Sequence, residues 1–101
     1  MLEVIFMEQE IKRVKMPRGG ELFGRVTNLL GSSRLQVECE DGKERLCRIP
    51  GKLRKRVWTR VNDIVIINPW ETQSDSRGDL VWRYTRTEVD FLRRRGYLKN
   101  L

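Results

Sequence analysis

The sequence predicts an all-β domain of five short strands with accessory helices, on three observations. From residue 20 onward, apolar side chains alternate with polar ones in short runs parted by turn signals such as Gly31-Ser32-Ser33 and Asp41-Gly42, the pattern of half-buried strands. The period changes once, where Leu53, Val57 and Val61 recur every fourth residue, as along one side of a helix. A Thr-x-x-Asp pattern at Thr87 and Asp90 then opens a last segment, with Val89 and Leu92 inward and Gly96 as its stop. With 101 residues, 39% of them hydrophobic, the chain suits one domain with a modest core.

The elements follow in order. Residues 1–19 show no sustained period and end in Pro17 and Gly19-Gly20, which predicts a mobile basic arm carrying Lys12, Arg13, Lys15 and Arg18. Leu22 to Leu30 is the first strand and Arg34 to Glu40 the second, with Leu35, Val37 and Cys39 on its inner face. Asp41-Gly42 tolerates the left-handed backbone of a hairpin, and Glu44 to Ile49 returns. A two-residue loop would set Arg48 opposite Leu35. The preferred alternative is a three-residue loop with Gly42 in a bulge, which sets Cys47 opposite Val37 and Ile49 opposite Leu35. A helix over residues 52–60 buries Leu53, Val57 and Val61 and turns Lys52, Lys55 and Arg56 outward. Ile64 to Ile67 are apolar without interruption, which predicts a fourth strand covered on both sides. Trp70 to Asp79 reads as a polar loop, with Asp75 and Asp79 as turn residues rather than a metal or acid–base site. Leu80 to Thr85 is the fifth strand, with Leu80, Trp82 and Tyr84 inward. Five strands with a helix between the third and fourth, and a helix at the end, match the OB-fold barrel, which binds oligonucleotides on its second and third strands and adjacent loops. The expected organisation is an arm over 1–19, the barrel over 20–86, and a C-terminal helix and tail packed on it over 87–101.

Charge points to the partner class. The chain carries 21 Lys and Arg against 14 Asp and Glu, a net charge of +7, which favours a polyanion such as nucleic acid or acidic lipid. Eight of the 21 lie between residues 42 and 60: Lys43, Arg45, Arg48, Lys52, Arg54, Lys55, Arg56 and Arg60. Lysine and arginine neutralise phosphates there, and arginine also pairs with phosphate oxygens in bidentate fashion or stacks on a base. Trp58 stands within that run and either stacks on a base or closes the barrel; the residues leave both open. Arg93 to Arg95 answer the negative end of the last helix. No apolar run approaches the roughly 20 residues of a membrane span, and Glu3 interrupts the apolar patch from Leu2 to Phe6, unlike a signal peptide. A cytoplasmic protein is expected. Two cysteines, Cys39 and Cys47, with no histidine are too few for an ordinary zinc site and read as buried thiols without a disulfide. No cofactor is expected, and the scattered acids assemble no catalytic constellation.

The stretch RLQVECEDGKERLCRIPGKLRKRVW, residues 34 to 58, resembles the core of the translation initiation factor 1A family, the archaeal and eukaryotic counterpart of bacterial initiation factor 1. Asp41-Gly42, Arg45-Leu46-Cys47 and Gly51-Lys52-Leu53-Arg54-Lys55 stand in the family's order and spacing. The likeness extends from about Gly20 to Tyr97 and, with no long acidic C-terminal tail, is to the archaeal form. It implies a non-catalytic monomer that binds the small ribosomal subunit at the aminoacyl-tRNA site and supports initiator tRNA and start-codon selection, with rRNA, initiator tRNA and other initiation factors as partners. It also implies that Arg34 and the run from Arg45 through Trp58 face RNA. Together with the basic cluster this makes Arg34, Lys43, Arg45, Arg48, Lys52, Arg54, Lys55, Arg56, Trp58 and Arg60 the candidate RNA-binding residues, with no metal ligand and no catalytic residue. The alternative is a general single-strand RNA-binding or chaperone barrel of the cold-shock kind. Against it, strands one to three hold a single aromatic, Phe23, where such proteins present several.

Overall fold

A computed structural model of the chain describes residues 14–54 and 59–101. Its strands are β1 (Leu22–Leu29), β2 (Arg34–Cys39), β3 (Glu44–Arg48), β4 (Ile64–Pro69) and β5 (Arg77–Arg83), with α1 (Gly51–Arg54) after β3 and α2 (Arg86–Arg94) after β5. They close a barrel in the order β1-β2-β3-β5-β4. All pairs are antiparallel except β3 with β5.

The alternation in β2 and β3 builds the interior. Leu35, Val37, Cys39, Cys47, Val26, Val65, Ile67 and Leu80 form one buried cluster, with Leu22, Ile49 and Leu53 packed against it. The apolar run of β4 is divided between two cores: Val65 and Ile67 join the interior, while Ile64 and Ile66 join a second cluster with Phe23, Tyr84, Leu92 and Leu98 outside the barrel. That outer cluster is why the strand carries no polar face. Phe23 lies there, its ring 6.0 Å from Tyr84 and 6.3 Å from Tyr97 between centroids.

The hairpin between β2 and β3 has a three-residue loop, but one residue earlier than expected. Cys39 N–H donates to the Lys43 carbonyl and Gly42 N–H to the Cys39 carbonyl, both at 2.9 Å, so Glu40, Asp41 and Gly42 form the turn, with Gly42 at φ +83°. Leu35 therefore faces Cys47 and Val37 faces Arg45, rather than Ile49 and Cys47. A slip of two positions keeps every side chain on its own face, so the inward set is as expected and only the partners change. The two cysteines still do not face each other.

Further differences have local causes. β5 begins at Arg77, inside the expected loop, because Cys47 and Arg48 pair in parallel with Gly78 and Asp79. Gly78 is required at that point: a Cβ would lie 2.7 Å from Ile67 Cγ2 and 3.2 Å from the Asn68 carbonyl. Between Ile66 and Ile67 the β4–β5 register shifts, leaving Val81 as an extra residue. This bulge turns Trp82 and Tyr84 away from the interior; Tyr84 is buried in the outer cluster, whereas Trp82 is 37% exposed, with the Lys15 ammonium 5.7 Å from its ring centroid. Helix α2 starts from Thr85, not Thr87. Its capping box is reciprocal, Glu88 N–H donating to Thr85 Oγ1 at 3.3 Å and Thr85 N–H to Glu88 Oε1 at 2.9 Å. Val61, expected inward on a helix over 52–60, sits in a turn and is 47% exposed. Lys55, Arg56, Val57 and Trp58 lie outside the described residues, as do residues 1–13 of the expected arm. The rest of that arm is not free of the barrel, since Val14 and Met16 pack into the outer cluster and the Tyr84 hydroxyl donates to the Lys15 carbonyl.

Candidate nucleic-acid interface

Side chains pointing out of the barrel from β2, β3 and β5 line up in rows. Arg34 lies opposite Arg48, which lies opposite Asp79; Gln36 lies opposite Leu46, which lies opposite Arg77; Glu38 lies opposite Glu44. The face is therefore polarised along the strands. At one end Glu38 binds Arg25 at 2.9 Å and Glu44 accepts from Thr27 Oγ1 at 3.1 Å. At the other, two arginines oppose each other directly, an arrangement that costs the fold stability and suits the binding of an anion. Asp79 offsets only part of this charge, accepting from Arg48 at 3.3 Å.

Beside that row lies a cleft of about 150 Å³ lined by Arg34, Leu46, Cys47, Arg48, Trp70 and Arg77. Trp70 is held at both ends: its backbone N–H donates to the Arg77 carbonyl at 3.1 Å and its Nε1–H to Asp79 Oδ1 at 2.9 Å. The Arg48 guanidinium stands 5.7 Å from the indole centroid. Trp70, Arg77 and Asp79 were legible in the sequence only as members of a polar loop. Their one signal was Trp70, which follows directly on Pro69 shortly after the apolar run of Ile64 to Ile67.

The expected RNA-binding residues divide among several places. Arg34 and Arg48 share the basic row. Lys52 is exposed on α1, close after the β3 end that carries Arg48. Lys43 is exposed at the hairpin and pairs with Asp75 at 2.7 Å, a surface contact of about 0–1 kcal/mol that a phosphate displaces at little cost. Arg60 is exposed and lines a different cleft, of about 530 Å³, with Asp63, Arg83 and Arg86. Arg54 ends α1; Lys55, Arg56 and Trp58 are outside the described residues.

Arg45 is a correction. Its side chain is 3% exposed, with Nη1 and Nη2 donating to the two oxygens of Asp41 at 3.0 and 2.9 Å and Nε donating to the Ser74 carbonyl at 2.6 Å. It sits on the inward parity of β3, opposite Val37, and ties the hairpin turn to the loop between β4 and β5. A guanidinium so buried, with its three nitrogens each donating within the protein, is not presented to RNA. The hydrogen bonds from Arg45 hold the Asp41 carboxyl below the usual carboxylate range and, reciprocally, raise the arginine further above its ordinary value.

Both cysteines are free and buried. Burial pushes the Cys39 thiol up and the Cys47 thiol up to about 12, so neither is a nucleophile near neutral pH. Alkylation of the folded protein at pH 8 is expected to leave both unmodified, and alkylation after denaturation without reductant to modify both. Mass spectrometry checks this; rapid labelling of the folded chain would contradict the burial. Among the described residues no three His, Cys, Asp or Glu side chains converge to hold a metal ion.

The family model described as "Translation initiation factor 1A / IF-1" matches residues 9–101. The chain belongs to this family. Its relatives include translation initiation factor 1A of Pyrococcus abyssi, 60% identical over 87 residues that make 86% of this chain and 77% of that one. The factor of the same name from Methanothermobacter thermautotrophicus is 54% identical over 91 residues, 90% of this chain and 92% of its own. Among solved structures, the bacterial-type translation initiation factor 1 from the Wolbachia endosymbiont of Brugia malayi superposes with a TM-score of 0.51 at 25% identity, over 66% of this chain and 79% of that one. YjeQ from Thermotoga maritima does so with a TM-score of 0.54 at 29% identity, over 65% of this chain but 23% of that one. In YjeQ the same barrel is thus one part of a larger chain. The arginine row and the Trp70 cleft belong to an initiation-factor barrel.

Proposed function

We propose that this member of the translation initiation factor 1A family acts in the cytoplasm by binding the small ribosomal subunit at the aminoacyl-tRNA site. There it supports initiator tRNA placement and start-codon selection, together with other initiation factors, as a non-catalytic monomer. The observation that carries this reading is the Arg34–Arg48 row, whose charge Asp79 only partly offsets, on the strand pair with which barrels of this class grip oligonucleotides. Arg77 and Lys52 flank the row, Lys43 and Arg60 extend the cationic surface, and Arg54, Lys55, Arg56 and Trp58 complete the basic run that meets RNA in this reading. Arg45 acts from within, holding the hairpin that displays them.

Co-sedimentation with purified small subunits tests the proposal. Each phosphate contact releases counterions, so with about six such contacts affinity is expected to fall roughly a thousandfold between about 50 and 200 mM salt. A flat salt response contradicts an electrostatic grip. Equal binding to any single-stranded RNA, with no preference for the subunit, replaces the ribosomal reading with the chaperone one.

A further inference from the structure

We propose that the cleft beside Trp70 seats one unstacked base of single-stranded RNA, a proposal that rests on the RNA-facing reading of this strand face. The cleft is lined by Arg34, Leu46, Cys47, Arg48, Trp70 and Arg77. The aromatic wall is prepared in advance. Bonds from the indole Nε1–H to Asp79 and from the Trp70 backbone to Arg77 fix the ring's position, so little freedom is lost when a base stacks on it.

Charge complementarity selects the occupant. Three arginines line the cleft, and among the described residues neither Arg34 nor Arg77 is in an ion pair. A lone apolar ligand would leave these cations unanswered, whereas a nucleotide supplies a flat ring for the tryptophan and phosphates on either side for the arginines. Arg48 serves as a placeholder. Its side chain is 58% exposed, weakly paired to Asp79 at 3.3 Å, and set over the indole at 5.7 Å, a separation too small to admit a base between them. When RNA arrives, the guanidinium leaves the ring for a phosphate and the base takes its place. Both halves of the exchange are favourable, because a phosphate answers an arginine better than a half-buried indole does, and a base stacks on an indole more strongly than an exposed cation does. Stacking of this kind tolerates any base, so the seat orders an unpaired strand without reading its sequence.

The test uses the full chain labelled with fluorotryptophan, whose Trp70 fluorine resonance is assigned with Trp70→Phe. A short single-stranded oligoribonucleotide is compared with the same oligonucleotide carrying one abasic ribose at its centre. Saturation with the intact strand is expected to shift the Trp70 resonance, and loss of the central base to weaken binding about tenfold. Trp70→Leu should bring the two affinities to near parity, while Trp70→Phe, folded with a wild-type melting midpoint, should keep most of the difference. An unmoved Trp70 resonance at saturation, a base preference that survives Trp70→Leu, or no binding of the oligonucleotide would each overturn the seat. Subunit co-sedimentation run alongside separates the two readings. An unmoved resonance with intact subunit binding removes the seat alone, and a shifted resonance without preference for the subunit removes the ribosomal reading alone.

Discussion

Arg45→Ala is expected to destabilise the fold by about 3 kcal/mol, since it removes a buried charge partner together with three hydrogen bonds. The figure stays toward the lower end of what breaking a buried pair costs, because Asp41 is 31% exposed and water can partly replace its partner. For a domain of this size such a loss lowers the melting midpoint by roughly 10–25 °C. The effect also depends on pH with a definite sign. Asp41 has a folded pKa below its ordinary value, with the Arg45 hydrogen bond as the first cause. Its contribution is therefore fully present above the unfolded value, about 3.9, and is lost as pH falls through the folded one. The stability gap between wild type and Arg45→Ala should be constant from about pH 5 to 8 and should narrow below about pH 4. Denaturant melts across that range measure it. A variant as stable as wild type but with weakened subunit affinity would return Arg45 to the interface.

Arg34→Glu combined with Lys52→Glu should do the reverse. Position 34 faces Arg48 across the strand pair, so a carboxylate there exchanges a like-charge pairing for an attractive one, a change of about 0.2–1 kcal/mol in favour of the fold. Lys52 is exposed on a four-residue helix and its substitution moves stability little. Small-subunit affinity, by contrast, should fall at least about a hundredfold near 100 mM salt, because two phosphates that met cations now meet carboxylates. Binding and stability thus move in opposite directions in one protein, a result that partial unfolding cannot produce. Unchanged affinity would make the basic row a solvated surface and shift the RNA-binding role to Arg60 and its neighbours.

The barrel was largely legible because its strands announce themselves locally. Leu35, Val37 and Cys39 alternate cleanly, Asp41-Gly42 marks the turn, and the unbroken Ile64 to Ile67 run foretells a strand with apolar neighbours on both faces. What escaped reading depends on partners distant in sequence. Gly78 and Asp79 have poor strand propensity and extend only because β3 lies parallel beside them. Trp82 belongs to an alternating trio, yet one extra residue at Val81 sends it outward. The helix start read at Thr87 and Asp90 lies two residues late, since β5 ends at Arg83 and Tyr84, its N–H bonded to the Ile64 carbonyl at 2.9 Å, leaves Thr85 and Glu88 to form the cap.

The candidate site was legible as a region rather than as a set of individual partners. A run of cations read as charge treats Arg45 and Arg48 alike, although they stand on opposite faces of one strand: Arg45 is sealed against Asp41 and Arg48 stands in the open row. Strand parity separates them, and the hairpin register then says which cation each neighbour meets. Trp70 and Arg77 were missed for the same reason as the start of β5, since their place in the cleft depends on the parallel pairing and not on any nearby pattern.

The central claim is that the outer face of β2 and β3 lies against ribosomal RNA. Because Cys39 and Cys47 are buried, a single new thiol can carry an iron chelate that cleaves nearby RNA by hydroxyl radicals. Placed by Gln36→Cys, between Arg34 and Glu38 on the strand face, the probe should cut small-subunit rRNA strongly at the aminoacyl-tRNA site. Placed by Asp90→Cys, on the exposed side of α2, it should cut weakly or not at all. Strong cleavage from position 90 with none from position 36 would contradict the account.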